Sequence, residues 1–171
     1  TSICYGNLNV KINGAHGGLS VGPDGATHQA LEEIALMRVL PNMRVIVPCD
    51  SNEAYKATLE AAKIKGPVYI RLGREPVPVI TTDKTPFHYG KAQTCREGKD
   101  VTIFACGLMV YLSLVAAEKL EKKGISARVI NLHTVKPIDK KAIIKAAKET
   151  KCIVTAEEHQ LMAGFGSAKG S

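Results

Sequence analysis

Residues 101–132, VTIFACGLMVYLSLVAAEKLEKKGISARVINL, read as strand, helix, strand. The run Val101–Cys106 is apolar on both alternations, the pattern of a strand buried on two faces. Gly107 turns the chain. A helix is expected from about Leu108 to Lys123, with Leu108, Leu112, Val115 and Ala116 on one face, and Gly124 ends it. ARVINL (127–132) is the next strand. Asp139 then caps a helix over KKAIIKAAKET (140–150), and CIVTAE (152–157) is a third strand. The order β-α-β-α-β requires a parallel sheet with right-handed crossovers.

The same grammar recurs upstream. RVIVPC (44–49) is a strand, and Asp50 or Ser51 caps a helix over NEAYKATLEAAKIK (52–65) that stops at Gly66. PVYIRL (67–72) is a strand again. Before them a helix is expected from Thr27 to Val39, capped by Asp24 or Thr27 and stopped by Pro41. Its apolar crowding, Leu31, Ile34, Ala35, Leu36 and Met37, implies burial on most sides. NLNVKI (7–12) is strand-like. Between Gly73 and Pro86 three prolines break every period, so residues 76–86 read as a linker. The fold class is α/β: two parallel-sheet, three-layer units over 1–75 and 87–171.

Of the 171 residues, 45% are apolar and 5% aromatic, with no Trp, so an aliphatic core is expected. No apolar run approaches the ~20 residues of a membrane helix. Cys4, Cys49, Cys95, Cys106 and Cys152 lie scattered without C-x-x-C spacing, which argues against a zinc site or a disulfide framework. Free cysteines of this kind are small buried hydrophobes in a reducing, hence cytoplasmic, compartment. The formal charge is +7, concentrated after residue 75. The lysines are interleaved with glutamates, as in EKLEKKG, and no aromatic platform accompanies them, so nucleic acid is not the expected partner. The opening TSICYGNLNV reads like the middle of a longer sequence.

Chemistry concentrates at HGGLSVGPDGATH (16–28). The segment follows a strand and precedes a helix, the place where α/β folds put ligands. Its glycines permit tight bends or close approach. The helix start adds positive potential for an anion. His16, Asp24 and His28 supply hydrogen-bonding and proton-transfer groups. On composition alone an ordinary glycine-rich loop remains open, since neither G-x-x-x-x-G-K-[ST] nor G-x-G-x-x-G occurs. Ser20 lacks a nucleophile-elbow setting. His16 and His28 stand twelve apart with no cysteine nearby, which is poor metal spacing.

Residues 16–43, HGGLSVGPDGATHQALEEIALMRVLPNM, resemble the pyrimidine-binding domain of transketolase. There the segment runs close to G-E-D-G-P-T-H-Q-P, a helix, and L-R-x-x-P-N. VIVPCDSNEA and YIRLGREPVP resemble its following segments. GKDVTIFACG, ARVINLHTVKPID and AEEHQLMAGFGSA resemble the transketolase C-terminal domain. The resemblance covers all but the last three residues. It implies a truncated pyrimidine-binding domain over 1–75 and a transketolase C-terminal domain over 87–171. It also implies roles residue by residue. Asp24 contacts a sugar hydroxyl near the reacting carbon, and His28 hydrogen-bonds the donor and is the catalytic candidate. His16 lies near the substrate phosphate. Arg74, in LGRE where the family has L-S-R-Q, binds that phosphate. Pro23 and Ala26 depart from the family pattern without removing a contact. Arg71, His133 and His159 are expected to be structural, and His88 has no motif context. Thr-His-Gln favours transketolase over deoxyxylulose-phosphate synthase and over the β subunit of 2-oxoacid dehydrogenases.

The implied reaction is transfer of a two-carbon ketol unit between sugar phosphates, as in the pentose phosphate pathway, by a thiamine-diphosphate-dependent transferase. The glutamate that activates the cofactor has no counterpart among the fifteen residues before His16, and "GDG", which opens the diphosphate and metal site, is absent from the sequence. Thiamine diphosphate, with Mg or Ca, is thus expected on an N-terminal transketolase subunit or region outside this sequence, and the chain alone is expected to be inactive. A homo- or hetero-oligomer is expected. The rival reading is a non-catalytic assembly module, which has no need of His16, Asp24, His28 and Arg74.

Overall fold

The computed structural model describes residues 1–170. It contains two four-stranded sheets. The first is built from β1 (Lys11–Gly14), β2 (Arg44–Ile46) and β3 (Val68–Arg71) in the order β1-β3-β2, all parallel. The second is built from β4 (Gln93–Arg96), β5 (Val101–Ala105), β6 (Ala127–Asn131) and β8 (Cys152–Ala156) in the order β4-β6-β5-β8. β8, β5 and β6 are parallel. Each sheet also gains an antiparallel edge strand that the sequence patterns do not announce. β4 pairs with β6 in the second. In the first, β7 (Thr134–Lys136) crosses from the later half of the chain to pair with β2.

Strand alternation sorts the core into three layers of side chains. Ile46, Val68 and Ile70 face α3 (Ser51–Lys63), meeting Ala57 and Ala61. Ile103, Ala105 and Val129 face α4 (Met109–Glu121), meeting Val110 and Ala117. The opposite faces of both sheets share one central layer. There Val45, Val47 and Tyr69 cluster with Phe104, Ile130, Leu132 and Phe165, together with Ile34 of α2 (Glu33–Val39) and Ala146 of α5 (Lys140–Glu149). A four-residue helix, α1 (Ser2–Tyr5), adds Cys4 to it.

Several expectations need correction. α2 begins at Glu33 rather than Thr27, and neither Asp24 nor Thr27 caps it. The missing turns are spent closing a loop, described below. α2 is also not buried on most sides: Ile34 is buried, whereas Leu36 is 60% and Val39 78% exposed. The inward stripe of α4 is Val110, Ser113 and Ala117, and Leu112 faces outward. β2 stops at Ile46, and Val47 beyond it donates its N–H to the carbonyl of His133 (2.7 Å). Residues 76–86 form no regular element, yet they do not hang free. Ile80 and Thr81 are bound by the Asp50 carboxylate that also caps α3. Cys152 is exposed, against expectation, while Cys4, Cys49 and Cys106 are buried. No helix among the described residues is long and apolar enough to cross a membrane.

Candidate functional site

β1 and β3 lie side by side, parallel, with Gly14 opposite Arg71. Whatever follows these two strands must emerge at the same edge of the sheet. The loop carrying His16 and Asp24 follows β1, and Arg74 follows β3, so residues 50 or more apart in sequence meet. Arg74 Nε lies 3.1 Å from Asp24 Oδ2, and His16 Nε2 lies 4.0 Å from the same oxygen. Arg74 Nη1 also donates to the carbonyl of Val21 (3.3 Å) and to Glu75 Oε1 (2.8 Å). The trio is accessible, with side chains 30–46% exposed. His16 sits at φ 63, a left-handed conformation that few non-glycine residues adopt and that clusters at functional sites. His28 stands apart. It is exposed, and its Nδ1 is 3.0 Å from the hydroxyl of its neighbour Thr27.

The loop itself is a closed excursion. Gly17 and Ala30 form a parallel bridge at its neck, with Gly18 N donating to Ala30 O (2.8 Å). A 3₁₀ segment, Leu19–Asp24, broken into two turns by non-helical Gly22, fills it, and positive φ at Gly22 and Gly25 lets the chain turn back. The neck explains the late start of α2, since Ala30 is engaged with Gly17 and cannot join a helix. The expected anion seat at that helix start is also taken: Ala35 N donates to His159 Nε2 (3.2 Å).

Arg71, expected to be structural, is 5% exposed. It pairs with Glu33 and donates to the carbonyls of Glu158 (2.7 Å) and Ala30 (3.3 Å). It thereby ties β3 to α2, to the loop neck and to the segment after β8. Gly17 has to lack a side chain because a Cβ there would fall 2.5 Å from Arg71 Nε. Beside this hub a cleft of about 430 Å³ opens between the two sheets, with Gly17, Ser20, Arg71, Gly73, Glu75 and Glu158 among its walls. None of His16, Asp24, His28 or Arg74 lines it, although Gly17 beside His16 and Gly73 and Glu75 beside Arg74 do. Cys49 lines it but is no nucleophile, because burial and the adjacent Glu53 push its thiol far up.

The chain matches the transketolase pyrimidine binding domain over residues 2–79 and the transketolase C-terminal domain over residues 90–168. The chain belongs to the transketolase family. It is 44% identical, over 98% of its length, to a 6-deoxy-6-sulfo-D-fructose transketolase subunit of Clostridium sp. (strain MSTE9), of which it covers 52%. It is also 44% identical, over 97% of its length, to a 1-deoxy-D-xylulose-5-phosphate synthase of Heliobacterium modesticaldum, of which it covers 26%. A solved structure described as an inactive beta4 tetramer of a split gene transketolase superimposes with a TM-score of 0.92 at 48% identity. The match spans 99% of this chain and 54% of that one. The chain thus spans about half the length of the split transketolase chains it matches.

Thiamine diphosphate dependence comes with the transketolase family. The cleft does not fit a seat for the ring of that cofactor. No wall residue of the cleft is aromatic, so none offers a stacking face. Among the described residues no group of three or more His, Cys, Asp and Glu is placed to hold a metal ion. What the transketolase segment does present is a hydrogen-bonding wall of one guanidinium, one carboxylate and one imidazole at a strand edge, with His28 nearby in sequence. Sequence reasoning passed over Glu158 and Ser20, whose contact spans 138 residues. The adjacent acids in AEEHQ were the one visible signal.

Proposed function

We propose that this chain supplies the sugar-binding wall of a thiamine-diphosphate-dependent transketolase that moves a two-carbon ketol unit between sugar phosphates. The observation that carries the reading is the convergence of Arg74 and His16 on Asp24 at the carboxyl edge of β1 and β3. Arg74 takes the anionic tail, with His16 beside it. Asp24 and His28 hold hydroxyls nearer the reacting carbons. A guanidinium suits a phosphate because it offers paired donors in a rigid fork. An anionic tail is also what the name of the sulfofructose relative specifies for that protein.

The cofactor, its activating glutamate and its metal belong in this reading to the N-terminal region or subunit that completes the enzyme, so these 171 residues alone turn over no substrate. Exposed Leu36, Val39, Leu161 and Met162, the last two 95% and 81% exposed, support burial in a homo- or hetero-oligomer. The five free cysteines suit a cytoplasmic setting.

The test is transfer from xylulose 5-phosphate to ribose 5-phosphate by the completed enzyme. Arg74→Ala should raise KM for the phosphorylated donor about 10- to 100-fold, the loss of one charged hydrogen-bonding group. It should barely affect hydroxypyruvate, which has no phosphate. His28→Ala should impair both donors. Equal loss of both donors in Arg74→Ala would make Arg74 structural. The second reading, deoxyxylulose-phosphate synthesis, is favoured by the Heliobacterium relative. Condensation of pyruvate with glyceraldehyde 3-phosphate, in place of ketol transfer, would establish it instead.

A further inference from the structure

The loop carrying His16 and Asp24 contains helical turns that its own sequence does not cap. The 3₁₀ helix Leu19–Asp24 starts after Gly18, which has no side chain to offer. α2 starts after Glu32, whose side chain makes no capping bond. Helix starts leave N–H groups that need acceptors. Here the acceptors come from two consecutive residues beyond β8. Glu158 Oε1 accepts from Ser20 N (2.8 Å) and Glu158 Oε2 from Ser20 Oγ (3.1 Å). His159 Nε2 accepts from Ala35 N (3.2 Å). The backbone of the same segment joins in: Glu158 O accepts from Arg71 Nη2 (2.7 Å), and Gln160 N donates to Leu31 O (2.9 Å). Gly18 makes room for this, since a Cβ there would fall 2.7 Å from the Glu158 carboxyl.

We propose that Glu158 is a positioning residue for the sugar-binding wall, acting through Ser20 and the Val21 carbonyl on Arg74 and, through Arg74, on Asp24. The connection is short. Ser20 is followed by Val21, whose carbonyl accepts from Arg74; beyond the kink at Gly22 a second short turn carries Asp24, whose carboxylate pairs with Arg74. If the first turn frays, the Val21 carbonyl that holds Arg74 shifts with it, and Arg74 carries the change to its partner Asp24. Glu158 is one of the cleft walls, and its hydrogen bonds go to Ser20 and Arg71 rather than to the four candidate substrate residues, so its influence is on their geometry. The assignment of a role in sugar binding rests on the function proposed above. The capping contact does not.

The experiment compares Glu158→Ala, Glu158→Gln and Ser20→Ala in the completed enzyme by amide hydrogen exchange and steady-state kinetics. Glutamine keeps one acceptor for Ser20 N, so it is the rescue variant. In Glu158→Ala, exchange across residues 19–24 should quicken about 10- to 100-fold, as expected when a charged acceptor is lost. KM for the phosphorylated donor should rise about 10-fold, with kcat and the hydroxypyruvate KM within about threefold. Glu158→Gln should restore both, and Ser20→Ala should fall between. Unchanged exchange in Glu158→Ala overturns the cap. Faster exchange with an unaltered KM overturns the positioning role. So does equal loss on both donors in step with melting temperature. Failure of the underlying functional reading has its own signature: Arg74→Ala then leaves KM unchanged, while exchange still separates alanine from glutamine at 158. In that case the cap stands and its role in sugar binding is overturned.

Discussion

His133 shows how one side chain can make this fold sensitive to acid. It is 1% exposed, and its ring lies 4.3 Å from that of Phe87. Thr134 Oγ1 sits 2.9 Å from His133 Nδ1 and accepts from Gly90 N (3.1 Å). The threonine hydroxyl has a proton free to donate to Nδ1 of the unprotonated ring. Burial, with the charge of His88 second, pushes the imidazole from 6.5 down to about 4. In the unfolded chain the ring takes up its proton near pH 6.5, whereas in the folded chain it does so only near pH 4. The stability it contributes is therefore complete above pH 6.5 and lost as pH falls from 6.5 to 4. At about 1.4 kcal/mol per unit the full loss is about 3 kcal/mol. The urea midpoint should drop between pH 7 and pH 4.5, and His133→Gln should remove most of that drop. Identical pH dependence in both proteins would show that other groups carry it.

At the scale of elements, Asp50 does more than cap α3. Its Oδ1 accepts from Glu53 N (2.9 Å) and Thr81 Oγ1 (2.8 Å), and its Oδ2 accepts from Ile80 N (2.9 Å) and Thr81 N (2.6 Å). Burial alone would raise its pKa, but these hydrogen bonds reverse the sign and hold it below the ordinary carboxylate value. Asp139, the α5 cap, accepts only from Ala142 N and Ala92 N. A cap replaced by alanine costs about 1 kcal/mol, and each buried donor left unpaired about 1–3 more. Asp50→Ala, which leaves the buried Thr81 N and Oγ1 unpaired, should therefore cost about 3–7 kcal/mol, and Asp139→Ala, whose second donor is only part-buried, about 1–2, measured by urea unfolding. Equal costs would mean that the 80–81 segment finds other partners. Both caps were legible in the sequence, as were α3, α5 and the buried strands, because each is a local pattern. The first turns of the expected Thr27–Val39 helix were not, because the neck bond between Gly18 and Ala30 is a tertiary demand. β4 and β7 were invisible for a similar reason: three or four residues at a sheet edge carry too little periodicity to read. The site behaves the same way. His16 and Asp24 were picked out from the glycine-rich loop and Arg74 through family resemblance, but their convergence follows from the β1–β3 register, and the reach of Glu158 to Ser20 has no local trace.

The whole molecule is two sheets that cannot be taken apart cleanly. β7 completes the first sheet from the second half of the chain, pairing Val45 with Lys136 and Ile46 with Thr134. Lys136 Nζ also donates to the carbonyls of Arg38 (2.8 Å) and Leu40 (2.6 Å) at the end of α2. The central core joins Ile34, Val45 and Val47 to Phe104, Leu132 and Phe165. Polar contacts cross too. Glu53, 3% exposed and with its pKa raised by burial, accepts from Asn131 Nδ2 (2.8 Å), and Arg71 reaches Glu158. Residues 1–86 alone would expose the central layer, open the β2 edge and strip Glu53 of one donor. Each sheet thus relies on the other for burial and for hydrogen bonds, which is the condition for one cooperative unit. Calorimetry of the chain should give a single transition, with van't Hoff and calorimetric enthalpies equal. A fragment of residues 1–86 should show no cooperative thermal transition and should bind a dye for exposed apolar surface. Two resolved heat-capacity peaks, or a fragment that melts sharply on its own, would show that the shared strand and core are contacts between independent domains rather than part of one folding unit.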